Sequence, residues 1–391
     1  AHFNEWTTGM GLLFIKWKLP AVATVFTTHA TSIGRSICGN GKPLYDYLEG
    51  YNGDQMAAEL NMQSKHSLEK AAAQNADCFT TVSDVTAAES AQLLERTPDV
   101  VTPNGFEPGF VPSKADMPEA RKKARNKLLK MASTLTGKPL SDETAIIATS
   151  GRCEYRNKGI DLYLDAINEL RATAFDRNIL ALVLVPAWSG QARKDLTEAM
   201  KAEKMTKALH DPVVTHELHN YDYDAILSRI HQLNFNIIPS DNISVIYIPC
   251  YLNGNDGVID MPYYDVLPGL DVTVFPSYYE PWGYTPLESV AFGVPTVTTT
   301  LAGFGQWVLS SVGDKLDTTG VKVVKRTDHN YDTVVKEIAD TLSRIVHDPS
   351  AHSKLEKAAQ KTAAKADWKH FIGLYEQAFE IAINNCHKRN I

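Results

Sequence analysis

The stretch Leu270-Asp271-Val272-Thr273-Val274-Phe275 runs through Pro276 into Ser277-Tyr278-Tyr279-Glu280-Pro281-Trp282-Gly283-Tyr284-Thr285-Pro286-Leu287-Glu288. It reads as a buried strand, an aromatic loop and the opening of a helix. In a parallel sheet, ligands sit outside the carboxyl ends of the strands, and a helix N-terminus there offers free N–H groups to an anion. Gly283 lets the backbone approach a ligand closely. Glu280 falls in the loop and Glu288 inside the helix, so both can face one cleft. Thr285-Pro286-Leu287-Glu288 also spells a capping box with proline at the first helical position, which would account for those residues as helix-start chemistry. It does not account for Glu280, Trp282 and Gly283 together, because an acid buried in an apolar loop is unfavourable unless it is used.

Outward from this stretch the same alternation repeats. Upstream, Ala21–Thr28 is a short β-branched strand, a helical pattern runs from about Asn52 to Asn75, and Cys78–Ser83 is a second strand. Ser83 or Asp84 is placed to cap the next helix, through Leu94, and a third strand, Asp99 to Gly105, closes in a turn. Strand, helix, strand, helix, strand is the rhythm of a doubly wound parallel sheet. A boundary follows between Pro108 and Asp142, where the basic stretch Ala120–Lys127 reads as a solvated helix face rather than a polyanion site. The alternation then restarts with strand Thr144–Ser150, helix Asp161–Leu170 and strand Ile179–Val185. Lys194–Leu233 reads as a mostly helical insertion. Strands Ile243–Ile248 and Leu270–Phe275, helix Pro286–Phe292 and strand Pro295–Thr300 follow, and Tyr331–Val346 and Ser353–Asn385 are helical. The expected architecture is α/β: two Rossmann-like doubly wound units, the first incomplete.

The 391 residues amount to about two and a half domains. A net charge of -7 argues against nucleic acid or an anionic membrane as partner, and no apolar run is long enough to span a bilayer. Cys38, Cys78, Cys153, Cys250 and Cys386 are scattered and odd in number, which suits a reducing, cytoplasmic compartment better than a disulfide framework. The chain opens on Ala1-His2-Phe3-Asn4-Glu5-Trp6, which reads like the interior of a domain.

A second constellation lies at another strand end, Ser150-Gly151-Arg152-Cys153-Glu154-Tyr155-Arg156-Asn157-Lys158-Gly159. Arg152 and Lys158 beside glycines suit a diphosphate, one as a planar fork and one as a point charge, while Arg156 reads as a surface cation. Asn104-Gly105 in its turn and His2, Asn4 and Glu5 at the start are further candidates. No P-loop, GxGxxG fingerprint, metal-spaced cluster or Gly-x-Ser-x-Gly elbow is present, so NTP hydrolysis, dehydrogenation and serine hydrolysis lose ground.

Together these motifs resemble glycogen synthases of the fungal and animal type, retaining glucosyltransferases of the GT-B fold. Ala1–Trp6 resembles the family's AHFHEW, Thr27–Arg35 its TTHATLLGR, and Thr80–Glu89 its TTVSxxTAxE segment. Val101–Gly105 resembles VTPNG, Gly151–Gly159 resembles GRYEFRNKG, and Ser277–Glu288 resembles SYYEPWGYTPAE. The likeness runs from the first residue to about Trp368. It implies a first unit over residues 1–113, the latter part of an acceptor-side domain, completed by a C-terminal helix over 366–391. A nucleotide-sugar-binding domain would span 114–365, with an insertion at about 194–235. The implied reaction moves glucose from UDP-glucose to the non-reducing 4-hydroxyl of an α-1,4-glucan with retention, without a metal or other cofactor, in a homo-oligomer.

By position, Glu280 would lie by the donor glucose with Trp282 and Gly283, and Glu288 would contact the ribose. Arg152 and Lys158 would bind the diphosphate, Tyr284 and Thr285 the nucleotide and phosphate, and Tyr251 and Tyr263 would flank the uracil, although tyrosines so placed also serve as core or rim. Glu280 is assigned to substrate positioning rather than to covalent attack. Three departures stand out. Asn4 replaces the family's second histidine, and keeps a hydrogen-bonding but not a titrating group near the sugar. Val346–Trp368 carries lysines but no arginine, in contrast to the family's arginine-rich helix that senses glucose 6-phosphate, so no such activation is expected. The glycine-rich half-domain that would precede Ala1 is absent, so this chain alone is expected to be a poor catalyst. Two other readings are a non-catalytic glucan-binding or scaffolding subunit and another GT-B nucleotide-sugar enzyme.

Overall fold

The computed structural model describes residues 1–202, 207–237 and 242–389. Two parallel sheets organise it. The first holds β1 (His2–Asn4), β2 (Val25–Thr28), β3 (Cys78–Thr81) and β4 (Val100–Val101) in that spatial order. Its strands run in sequential order with no reversal among the described residues, one half of a doubly wound sheet. The others are β5 (Ala145–Ser150), β6 (Ile179–Leu184), β7 (Ser189–Ala192), β8 (His216–Leu218), β9 (Ile243–Ile248), β10 (Val272–Val274), β11 (Thr296–Thr299) and β12 (Val321–Val324). The second sheet has the order β12-β11-β10-β5-β6-β9 and is parallel throughout. The chain enters it at β5, builds outward through β6 and β9, and returns to the other side of β5 with β10. The order therefore reverses between β5 and β10, where a doubly wound sheet binds its ligands.

β5, β6 and β9 are buried along their whole length, which is why they read as continuous aliphatic runs. Successive side chains go to opposite faces. Ile146, Leu180, Leu182 and Ile246 pack with Leu128, Met131 and Leu135 of the helix Met117–Thr136, while Ile147, Val183 and Val245 pack with the helices Ile160–Glu169 and Tyr331–His347.

That first helix differs from the solvated face read in its sequence. Lys122 and Lys123 are exposed, but Arg125 is buried, 3.0 Å from Asp271, and donates to the carbonyls of Gly269, Asp142 and Thr144. Arg121 reaches the same Asp271 at 2.5 Å. A lone carboxylate at the start of β10 draws both cations inward.

The insertion also differs from its helical reading. Among the described residues it holds two eight-residue helices, Lys194–Lys201 and Ala225–Gln232, and β8, which pairs antiparallel with β7. Residues 203–206 lie outside the described residues. Ser189–Ala192 and His216–Leu218 carry no apolar alternation, and their pairing across a long loop leaves no local signal. β1 and β12 were not anticipated either: one has three residues, and the other carries the lysine Lys322. The patterns at 52–75 and 353–385 each split into two helices, at Leu60–Met62, where Asn61 takes φ 56°, and at Ala366–Asp367.

The helix Trp368–Arg389 lies back on the first sheet, where Ala378 and Ala382 pack with Val25, Cys78 and Val100, and Arg389 pairs with buried Asp77 at 3.0 Å. The chain thus passes between the two sheets twice. The two passages touch: the N–H of Phe106 donates to the carbonyl of Ala366 at 3.0 Å, and a Cβ on Gly105 would lie 2.7 Å from the backbone of Trp368.

Candidate functional site

The carboxyl ends of both sheets open on one cleft of about 570 Å³. From the first sheet come Glu5, just beyond β1, His29 beyond β2, Asn104 beyond β4, and Arg35 on the helix Ser32–Gly39. From the second come Gly151, Arg152 and Lys158 beyond β5, and Glu280 to Thr285 beyond β10, on the two sides of the switch point.

Two glycines fix these loops. A Cβ on Gly159, at φ 67°, would lie 2.0 Å from the carbonyl oxygen of Pro276, so only glycine lets the loop ending at Lys158 rest against the loop leading to Glu280. The result is an ion pair between Lys158 and Glu280, both largely buried, with the Ser277 hydroxyl donating to the same carboxylate oxygen at 3.4 Å. On the far side a Cβ on Gly303 would lie 2.2 Å from the Pro281 carbonyl oxygen. The N–H groups of Gly303 and Phe304 donate to the carbonyls of Glu280 and Trp282 at 3.0 and 2.7 Å. The acidic loop is thereby held from behind.

The opposite wall is charged as well. Glu5 takes φ 66°, unusual for a residue with a side chain. Its carboxylate accepts from the His29 N–H at 3.0 Å, and burial raises its pKa. Burial lowers that of His29, which favours the neutral imidazole near pH 7. At the rim, Glu154 lies between two cations, with Arg35 at 3.0 Å and Arg152 at 3.3 Å from one carboxylate oxygen. The Arg152 side chain is mostly exposed, and one positive charge there is left uncompensated.

Of the residues singled out from sequence, Arg152, Lys158, Glu280, Trp282, Gly283, Tyr284, Thr285 and Asn104 line this cleft. Asn4 meets it indirectly: its side-chain oxygen is 3.0 Å from Nε2 of His29, and His29 forms the wall. Trp282 is 3 % exposed, with its indole packed against Phe304, Trp307 and Phe371, so its ring is core. Glu288 does not line the cleft; it accepts from the Tyr264 hydroxyl at 2.8 Å, and burial raises its pKa. The capping-box reading fails, because the helix Tyr284–Ala291 begins two residues earlier, after Gly283 at φ 111°. Pro286 is therefore the third helical residue, and no side chain caps the helix.

Tyr251 and Tyr263 lie on adjoining segments outside the cleft lining, with the N–H of Tyr263 donating to the carbonyl of Leu252 at 3.0 Å. Tyr263 reaches Ser150 Oγ, at the end of β5, at 2.7 Å, whereas Tyr251 is 75 % exposed. Sequence reading named Glu5 as a candidate but did not assign His29 and Arg35 to the site. Their signal was present in Thr27–Arg35 and beside Asn4, but only the fold sets them opposite Glu280.

One set of potential metal ligands comes together from distant segments: His216, Cys250 and Asp256, with ligand atoms within 4.8 Å of one another. The groups of His216 and Asp256 are already committed. His216 bonds Thr215 Oγ1 and the Asp256 carbonyl at 2.8 and 2.9 Å, and the Asp256 carboxylate accepts from the N–H groups of Val258, Ile259 and Asp260. The cluster reads as loop architecture.

Comparison with known proteins bears on the same features. The family model described as glycogen synthase matches residues 1–213 and 204–390. The chain is 30% identical to a glycogen [starch] synthase of Caenorhabditis elegans, over 99% of this chain and 66% of that protein. It is 28% identical to the glycogen [starch] synthase of Neurospora crassa, over 99% of this chain and 63% of that protein. The chain thus spans a little under two thirds of the length of these relatives. Among solved structures, the catalytic domain of starch synthase IV from Arabidopsis thaliana, bound to ADP and acarbose, superposes with a TM-score of 0.57. That match has 13% identity over 98% of this chain and 72% of that one, a likeness that establishes the GT-B fold. With nearly its whole length covered by one family model, this chain belongs to the glycogen synthase family.

Proposed function

We propose that this chain carries the donor site of a UDP-glucose-dependent glycogen synthase, which transfers glucose with retention to the 4-hydroxyl of an α-1,4-glucan. The observation that carries the reading is the Lys158–Glu280 pair at the switch point of the second sheet, with Arg152 at the rim and Glu5, His29 and Arg35 opposite. The diphosphate would sit against Arg152, Lys158 and the free N–H groups of Tyr284 and Thr285. As the glucosyl–phosphate bond breaks, these groups stabilise charge on the departing diphosphate, so the reading requires no metal. Glu280, already ion-paired, orients the sugar, and Glu5 and the neutral His29 offer hydrogen bonds from the facing wall. The acceptor hydroxyl attacks from the face the diphosphate leaves, and the phosphate takes its proton.

The test is transfer of labelled glucose from UDP-glucose to a maltooligosaccharide, with and without chelator, together with calorimetric titration of UDP against ADP. Transfer that survives chelation and favours UDP supports the reading. Binding of UDP and glucan without transfer, in this chain and in any longer form of it, makes it a non-catalytic glucan-binding or scaffolding subunit. Glucose 6-phosphate is expected to leave the rate unchanged, because the helix His352–Lys365 carries lysines but no arginine.

A further inference from the structure

Tyr279 belongs by sequence to the loop of the second sheet, one residue before Glu280, yet its side chain is 1 % exposed and packs among residues of the first-sheet unit. Ile33, Ile37, Leu44, Met56 and Leu93 form that cluster with it. Its hydroxyl donates to Glu89 Oε2 at 2.9 Å, within a helix that follows β3. The same oxygen accepts from the Thr31 hydroxyl at 2.7 Å, and Thr31 Oγ1 in turn caps the helix Ser32–Gly39. A Cβ on Gly34 would lie 2.6 Å from that carboxylate oxygen, so the glycine makes room for the acid. The preceding residue is tied to the same side: the Tyr278 hydroxyl accepts from the Leu44 N–H at 2.8 Å.

A loop that presents a reacting-site acid is thus fastened to the opposite unit by the side chain immediately before that acid. We propose that Glu89 and Tyr279 form a latch in which Tyr279 is the positioning residue for Glu280, fixing the donor loop against the first sheet. This rests on the assignment of Glu280 to the donor site. The aromatic ring supplies burial, and the hydrogen bond to Glu89 supplies the orientation that burial alone lacks, because a phenyl ring in the same cluster could rotate and slide. The bond lies in a buried site, where a polar group left without its partner is strongly disfavoured, and the Thr31 carbonyl, a second acceptor 3.2 Å from the same hydroxyl, belongs to the same first-sheet unit. Misplacing a reacting group by about 1 Å is enough to cost roughly a hundredfold in rate, whereas binding of the nucleotide, which also rests on Arg152 and Lys158 beyond β5, is less affected.

The experiment compares the wild type with Tyr279→Phe, Glu89→Gln and Glu89→Ala in the full chain. It reads thermal melting, hydrogen exchange of residues 277–283, UDP affinity and, separately, kcat and KM for glucose transfer. In Tyr279→Phe and Glu89→Ala, exchange in 277–283 should rise and kcat fall about tenfold or more. UDP affinity and KM should change less than about threefold. Glu89→Gln, which keeps an acceptor oxygen, should restore most of kcat and protection. Unchanged exchange and kcat in Tyr279→Phe would overturn the latch, as would a Glu89→Gln variant no better than Glu89→Ala. If neither this chain nor any longer form of it transfers glucose, the functional reading fails while the exchange data still decide the latch.

Discussion

Arg35, in the first-sheet wall of the cleft, meets Glu154, in the loop beyond β5, at 3.0 Å, an ion pair that joins the two sheet units at the rim of the site. Both side chains are partly exposed, so the pair itself contributes little to stability. Glu154→Ala is expected to destabilise by less than about 1 kcal/mol, an effect that added salt erases. Arg35→Ala should match it in a melting experiment but also lower glucose transfer by about tenfold or more, because the guanidinium faces the cleft. Equal effects of the two substitutions on transfer would mean that the arginine serves only the pair.

Gly159→Ala is expected to be among the most damaging small changes. The added Cβ would meet the Pro276 carbonyl oxygen at 2.0 Å, and φ of 67° is unfavourable for alanine. A loss of about 2 kcal/mol or more in urea unfolding is expected. A loss below about 0.5 kcal/mol would show that the 151–159 loop does not need to rest on the strand end.

Glu69 gives a dependence on pH. Burial raises its pKa from 4.5 to about 7, opposed by hydrogen bonds from Ser32 and Thr28. Between these values the folded state holds a proton that the unfolded chain has lost, so this group's contribution to stability falls as pH rises from 4.5 to 7 and is flat above. The span corresponds to about 3 kcal/mol. Chemical denaturation at several pH values should show a steeper decline for wild type than for Glu69→Gln across this window. Parallel curves would exclude Glu69 as the titrating group.

Tyr251 offers a test at the nucleotide end. Its ring is 75 % exposed, so Tyr251→Ala should leave the melting temperature unchanged. If the ring stacks on the base, UDP affinity should fall by about tenfold, consistent with a stacking contribution of 1–3 kcal/mol. Unchanged affinity in calorimetry would remove Tyr251 from the site.

The readability of the sequence followed the physics of each segment. β5, β6 and β9 were legible because strands buried on both faces are rich in aliphatic residues. β7 and β8 were not, since their residues lack alternation and their pairing spans a long connection. The loop from Ser277 to Glu288 showed an acid and a glycine that do line the cleft, yet Thr285-Pro286-Leu287-Glu288 suggested a cap that Gly283 displaces. Glu288 instead answers to Tyr264, a partner that no spacing rule indicates. Lys158 and Glu280 were visible as separate residues. Their pairing depends on Gly159 passing the Pro276 carbonyl, and that is a property of the packed sheet.

The contact between Phe106 and Ala366, where the two chain crossings touch, governs how the two halves can move. Two bodies joined by a single linker can drift and turn freely, but two crossings pinned side by side leave chiefly one rotation, about an axis through the pin. With Tyr279 also buried in the first-sheet cluster and bonded to Glu89, the halves are held at the mouth of the cleft as well as at the crossings, so that Glu280 keeps one position facing Glu5 and His29.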